Sequence, residues 1–199
     1  VSAFLVDMEK AGVTVGKPDK KMGQEGSQIA DIYLDDVHVD GDALLGGEEG
    51  QGFRTAMMSL DNGRLSVAAA SAGYARRILD TAMRYAQDRK AFGEPINQFQ
   101  LIQAMLADSK AEIYASECMM LDACARSERG RASLEASAFK MFATEMCGRV
   151  VDRVVQIHGG AGYLAEYEAE RLFRDARIYR IYEGTTQIQQ LVIAKQMIR

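Results

Sequence analysis

Residues 52–95 read GFRTAMMSLDNGRLSVAAASAGYARRILDTAMRYAQDRKAFGEP. Phe53, Met57, Leu60, Val67, Ser71, Tyr74, Ile78 and Tyr85 recur at steps of three or four residues or their sums. That is the spacing of one face of a long amphipathic helix. Gly93 and Pro95 punctuate the end of the pattern, as a helix C-terminus would. Further helices are expected from about Asn97 to Glu128, from about Ser133 to Ile157, and from Thr186 to the end of the chain. Arg129-Gly130 and the cluster Gly159, Gly160 and Gly162 supply the breaks between them. Long helices joined by short turns predict a four-helix up-and-down bundle, so the fold class is mainly α.

Upstream of this stretch the texture differs. SAFLVD, VTVG and IADIYLDDVHV are short and rich in β-branched and apolar residues. Ile32 and Leu34, then Val37 and Val39, approximate the period of a half-buried strand, with Asp35-Asp36 at a bulge or bend. So few strands cannot bury a sheet face alone. Residues 1–47 are therefore expected to be part of a β-domain, and residues 48–199 a helical bundle domain. The sequence opens at Val1 rather than methionine, so an upstream segment is expected.

Composition narrows the classes. The 199 residues are 48% hydrophobic and 26% charged, with a net charge of −4, which gives no handle for nucleic acid or an anionic membrane. No apolar run is long enough to span a bilayer. Cys118, Cys124 and Cys147 follow no metal spacing and are expected as reduced thiols in apolar surroundings, as suits an intracellular protein. No metal site is expected: His38 lies near only Asp36 and Asp40, and His158 has no Cys or His nearby.

Three segments carry groups with two readings each. In Tyr182-Glu183-Gly184-Thr185-Thr186-Gln187, Thr186 and Gln189 have capping-box spacing, which puts Glu183 just before a helix N-terminus. Such a carboxylate either decorates a helix start or takes a proton from a carbon acid. Arg89-Lys90-Ala91-Phe92-Gly93 either complements a helix C-terminus or offers an arginine fork to a phosphate. Gln156-Ile157-His158-Gly159-Gly160-Ala161-Gly162-Tyr163 is either a C-cap and tight turn or a place where a ligand touches backbone. It follows a helix, so it is neither a Rossmann nor a Walker loop.

GEEGQGF, LDNGR, DRKAFGEPI, FQLIQAMLAD, QIHGGAGYLAEY, ERLFRDARI and IYEGTTQIQ occur in the order in which the acyl-CoA dehydrogenase family carries them, and the chain resembles that family over its whole length. The resemblance implies the end of a middle β-domain followed by the C-terminal four-helix bundle, with the N-terminal half of a usual member absent. It implies Glu183 as catalytic base. FAD would be held by Arg89, Phe92, Gln100, Gln156 and Gly160 across a subunit boundary, and by Thr185 and Gln187 on the other side. Asp61, Arg64, Tyr182 and Gly184 would line the acyl-CoA site. Some branches take the base from the first bundle helix, where this chain has Gly63. Glu168 departs from the proline that many members have there.

The implied reaction is α,β-dehydrogenation of an acyl-CoA thioester, with electrons passing to an electron-transfer flavoprotein. The implied assembly is a homotetramer, a dimer of dimers, in the cytoplasm or a mitochondrial matrix. Two other readings share these residues: an acyl-CoA oxidase, and a non-catalytic oligomerisation module left from a truncated dehydrogenase.

Overall fold

The computed structural model describes residues 1–198. They form, in order, β1 (Val13–Val15), β2 (Ile32–Leu34), α1 (Gly52–Asp88), β3 (Lys90–Ala91), β4 (Glu94–Pro95), α2 (Gln100–Arg129), α3 (Ser133–His158), α4 (Glu168–Ala176) and α5 (Thr186–Met197), with short 3-10 turns between several of them. The chain divides into two compact units, one of Val1–Leu60 and one from Asp61 onward, and the division falls inside α1.

In the first unit β1 and β2 pair antiparallel, Val13 opposite Leu34 and Val15 opposite Ile32. Gly12, at φ +88°, turns the chain into β1 at a point where a side chain would strike the Asp35 carbonyl. The strand expected over residues 29–39 shrinks to Ile32–Leu34, and the one over residues 2–7 to a single bridge between Phe4 and Leu44. Ile32, Tyr33 and Leu34 are all exposed, contrary to the half-buried pattern expected. A two-stranded ribbon has no face to bury. The bend at Asp35-Asp36 is present, with Asp36 at φ +47°.

In the second unit three long helices pack with alternating direction. Arg126 pairs with Glu135 near the α2–α3 turn, and Glu112 with Arg149 and Arg153 farther along, so α2 and α3 are antiparallel. Asp61 meets Arg131 and Ser133 at one end, and Arg76 meets Glu117 farther along, so α1 runs against α2. Tyr85 donates to the His158 carbonyl, placing the far ends of α1 and α3 together. The core draws alanines (Ala72, Ala75, Ala82, Ala86) together with Ile78 and Leu79 from α1, and side chains larger than alanine from its partners (Ile113, Met146, Val150, Val154, Leu172). Val67, Tyr74, Ile78 and Tyr85 of the expected face pack in or against it, and Ser71 is buried. Phe53, at the other end of the pattern, is 62% exposed.

α5 completes the four-helix bundle against α3, and a short helix not expected from the sequence, α4, packs there too. α4 begins at Glu168, whose carboxylate accepts from Thr81 and Arg77 of α1. The departure from proline thus provides an acceptor that proline lacks. α1 ends at Asp88, before the expected stop, because residues 90–95 form a tight hairpin with Phe92 at φ +53° and Gly93 at φ +89°. Cys147 is buried, but Cys118 and Cys124 are exposed on α2, which corrects the expectation of three sheltered thiols. Arg199, the end of the expected last helix, lies outside the described residues.

Candidate active site

Glu183 and Gly184 are consecutive left-handed residues, at φ +53° and +86°. Glycine adopts that conformation freely, whereas a side-chain-bearing residue resists it by about 1–2 kcal/mol. The first turn of α5 anchors the pair from its C-terminal side. Thr185 caps α5 by accepting the amide of Ile188 at 3.3 Å. The capping-box spacing points instead to Thr186, one residue later. Thr186 Oγ1 donates to Glu145 Oε1 at 2.6 Å, tying the first turn of α5 to α3. Arg180 Nη1 donates to the other oxygen of Glu145 at 3.1 Å. Burial alone would raise the Glu145 pKa, but the bonds from Thr186 and Arg180 outweigh it and hold the carboxyl below its ordinary range.

The partly buried Glu183 side chain lies against α1 at Gly63. A β-carbon at Gly63 would sit 2.7 Å from the Glu183 Cδ and nearer still to Oε2, so only glycine leaves room for the carboxylate. One turn of α1 brackets the site with charge. Arg64, only 8% exposed, donates to Asp61 at 2.9 Å. The second oxygen of Asp61 accepts from Ser133 at 2.9 Å and from Arg131 at 3.3 Å. Arg64 Nε is buried with no hydrogen-bond partner among the described residues. Tyr182 packs against Tyr179 with ring centroids 5.9 Å apart.

Two buried residues absent from the sequence-based site stand behind the turn. Lys140 of α3 donates to the Gly184 carbonyl at 2.7 Å. Gln189 of α5 donates from Nε2 to the carbonyls of both Glu183 and Gly184, each at 3.0 Å. Lys140 was visible in principle: it shares helical spacing with Ala136, Ala143 and Cys147, all on the buried face of α3. A lysine in that row is a buried charge needing a partner.

The other sequence-predicted residues fall into two sets. Thr185 and Gln187 adjoin Glu183 at the start of α5, with Gln187 exposed. Arg89, Phe92 and Gln100 lie at the far end of α1 and start of α2, Gln156 and Gly160 at the far end of α3, and all five are exposed. Phe92 is 98% exposed, its ring edge-on to Phe99 at 6.1 Å. At Gly160 a β-carbon would meet open space. From Gly63 to Asp88 the helix rises roughly 1.5 Å per residue, which separates the two sets by about 38 Å. Among the described residues no three His, Cys, Asp or Glu side chains group as a metal would require, and no helix is long and apolar enough to cross a membrane.

A helical bundle presenting a glycine-flanked carboxylate at one end and an exposed Arg-Phe hairpin at the other has close counterparts. A model of the acyl-CoA dehydrogenase C-terminal domain matches residues 50–198. The caffeyl-CoA reductase–Etf complex subunit CarC of Acetobacterium woodii is 43% identical over 200 residues, covering 100% of this chain and 52% of that protein. The structure of butyryl-CoA dehydrogenase from Megasphaera elsdenii superposes with a TM-score of 0.96 at 40% identity, covering 100% of this chain and 52% of that one. An acyl-CoA dehydrogenase complexed with FAD from Bacillus anthracis gives a TM-score of 0.92 at 36% identity, covering 100% and 37%. The chain therefore belongs to the acyl-CoA dehydrogenase family. It spans about half the length of the curated relatives it matches.

Proposed function

We propose that the chain is the C-terminal half of a flavin-dependent acyl-CoA dehydrogenase, in which Glu183 removes the α-proton of an acyl-CoA thioester. Residues 1–47 would belong to the family's middle β-domain and residues 48–199 to its helical bundle domain. The observation that carries the reading is the Glu183 carboxylate seated over Gly63 by a left-handed turn. A carboxylate kept in one place, partly sheltered and with no side chain opposite, suits abstraction of a carbon-bound proton, where alignment supplies much of the rate.

The chain's own residues divide the work. Glu183 takes the proton and offers its backbone N–H to the thioester carbonyl, which makes that proton more acidic. Gly184 leaves space beside the carboxylate, and Asp61, Arg64 and Tyr182 would line the substrate side. In the reverse direction the same carboxyl would return the proton, which accommodates reductases among the relatives.

The cofactor fits the residues present. Arg89 offers its exposed guanidinium to a pyrophosphate, Phe92 an exposed ring, Gln100 and Gln156 exposed amides, and Gly160 open backbone, with Thr185 and Gln187 on the second side. Bound FAD would supply the acceptor for the hydride leaving the β-carbon. The separation of the two sets along α1 is too great for one flavin to reach both in one copy. It supports a cofactor shared between two copies; a homotetramer arranged as a dimer of dimers is what membership of the family would add. The electron acceptor would be an electron-transfer flavoprotein.

The test is anaerobic mixing of the FAD-loaded product of the complete reading frame with a panel of acyl-CoAs, followed by the flavin absorption band. Bleaching in the parent and none in Glu183→Gln is the expected result. No bleaching in either, with FAD bound, sinks the catalytic claim.

A further inference from the structure

Lys140 has none of its surface exposed, yet its ammonium sits beside the site rather than in water. A buried charge is costly, and an apolar side chain of similar length would fill the space more cheaply. Its hydrogen bond goes to the Gly184 carbonyl at 2.7 Å. Gln189, also without exposed surface, turns its amide nitrogen to the carbonyls of Glu183 and Gly184 and leaves its own oxygen without a hydrogen-bond partner among the described residues. Both neighbours are acceptors only, so the amide must present its donor side. Gly184 makes this approach possible, since a β-carbon there would lie 2.7 Å from Gln189 Nε2.

Three hydrogen bonds thus converge on the two carbonyls of the left-handed pair, while the Glu183 side chain faces Gly63. A residue stays in such a backbone conformation only where its surroundings over-determine it. We propose that Lys140 and Gln189 form a clamp that fixes the Glu183–Gly184 turn and thereby aims the carboxylate, with Lys140 a positioning residue retained at a cost in stability. The proposal rests on the reading of Glu183 as the base. Burial first, and then the Arg64 guanidinium, push the Lys140 pKa from 10.5 down to about 8, while Glu145 and Glu183 pull it up. At neutral pH the clamp therefore keeps its charge.

Lys140→Met and Gln189→Leu, made in the FAD-loaded product of the complete reading frame, test this. Three quantities are read: amide hydrogen exchange over residues 183–189, the limiting rate of flavin bleaching with its apparent substrate affinity, and Tm at pH 7. In Lys140→Met, exchange in that segment rises about tenfold or more and the limiting rate falls about 10- to 100-fold. Substrate affinity stays within about threefold and Tm is equal or higher, as replacing a buried charge allows. Gln189→Leu shifts exchange and rate in the same direction.

Unchanged exchange, or faster exchange with an unchanged limiting rate, overturns the clamp while parental bleaching leaves the base intact. A lowered Tm with exchange raised throughout α3 and α5 overturns it in favour of a purely structural role. A parent protein that no acyl-CoA bleaches removes the base, and the positioning role falls with it.

Discussion

The carboxylate of Glu183 occupies the space where Gly63 would carry a side chain: a β-carbon on Gly63 would stand 2.7 Å from the Glu183 Cδ and 3.3 Å from Oε1. Gly63→Ala should therefore push the carboxylate aside. In a helix interior, alanine is otherwise favoured over glycine by roughly 0.5–1 kcal/mol, so the fold should not suffer. The expected outcome is a fall of about 100-fold in the flavin reduction rate with Tm within about two degrees of the parent. A parental rate in a well-folded variant would show that the carboxylate does not need this seat.

Gly184→Ala should behave in the opposite way, through stability. The backbone at φ +86° resists a side chain, and the new β-carbon would meet Gln189 Nε2 at 2.7 Å and Ile188 Cγ2 at 3.4 Å. The left-handed penalty alone is about 1–2 kcal/mol. Thermal unfolding should show Tm lowered by several degrees, and unchanged melting would mean that the turn relaxes without cost.

At the far end of the bundle, Arg89→Ala and Gly160→Ala should leave the apoprotein's melting unchanged, because Arg89 is exposed and open space surrounds Gly160. Both should lower FAD occupancy, measured as the flavin-to-protein absorbance ratio. Full occupancy in both would remove these residues from the cofactor site.

What the sequence makes legible here is whatever repeats at helical spacing or sits in a rigid local signal. Val67, Tyr74, Ile78 and Tyr85 pack where the α1 pattern puts them, and the glycines at 159–162 do end α3. The hairpin at residues 90–95 is too short to produce a strand pattern, and α4 is only nine residues long, so both escaped. The cap moved from Thr186 to Thr185 because Thr186 has a stronger partner in Glu145, which is 41 residues away. The burial of Lys140 is legible in its helical spacing, but what Lys140 and Gln189 bind is not. Their partners are backbone carbonyls, and a carbonyl has no identity in the sequence.

Glu145 gives the acid side of the pH dependence. Its folded pKa lies below the ordinary value of 4.5, held down by bonds from Thr186 and Arg180 against the effect of burial. A depressed carboxylate contributes stability above its unfolded pKa and loses it as pH falls through the folded value. Glu145→Gln should remove that share, so its Tm should fall less steeply than the parent's below about pH 4.5. Parallel acid limbs would deny the Arg180–Glu145–Thr186 tie any part in stability.

Lys140 gives the alkaline side, with the opposite cause. Burial and Arg64 lower its pKa from 10.5 to about 8, so between those values the unfolded chain binds the proton that the folded chain has released. Folding stability therefore rises with pH across that interval. The buried Cys147 thiol acts against it: burial pushes its pKa from 9.0 to about 12, so above 9.0 the unfolded chain loses a proton that the folded chain keeps. Tyr179, raised by burial from 10.0 to about 12, adds to that loss above 10.0. The Lys140 contribution should thus stand alone only between about pH 8 and 9. Over that unit the stability difference between parent and Lys140→Met should shift toward the parent by at most about 1.4 kcal/mol. Denaturant unfolding at pH 7.5, 8.5 and 9 would read it, and a difference that stays flat would mean the ammonium is hydrated rather than buried behind Gly184.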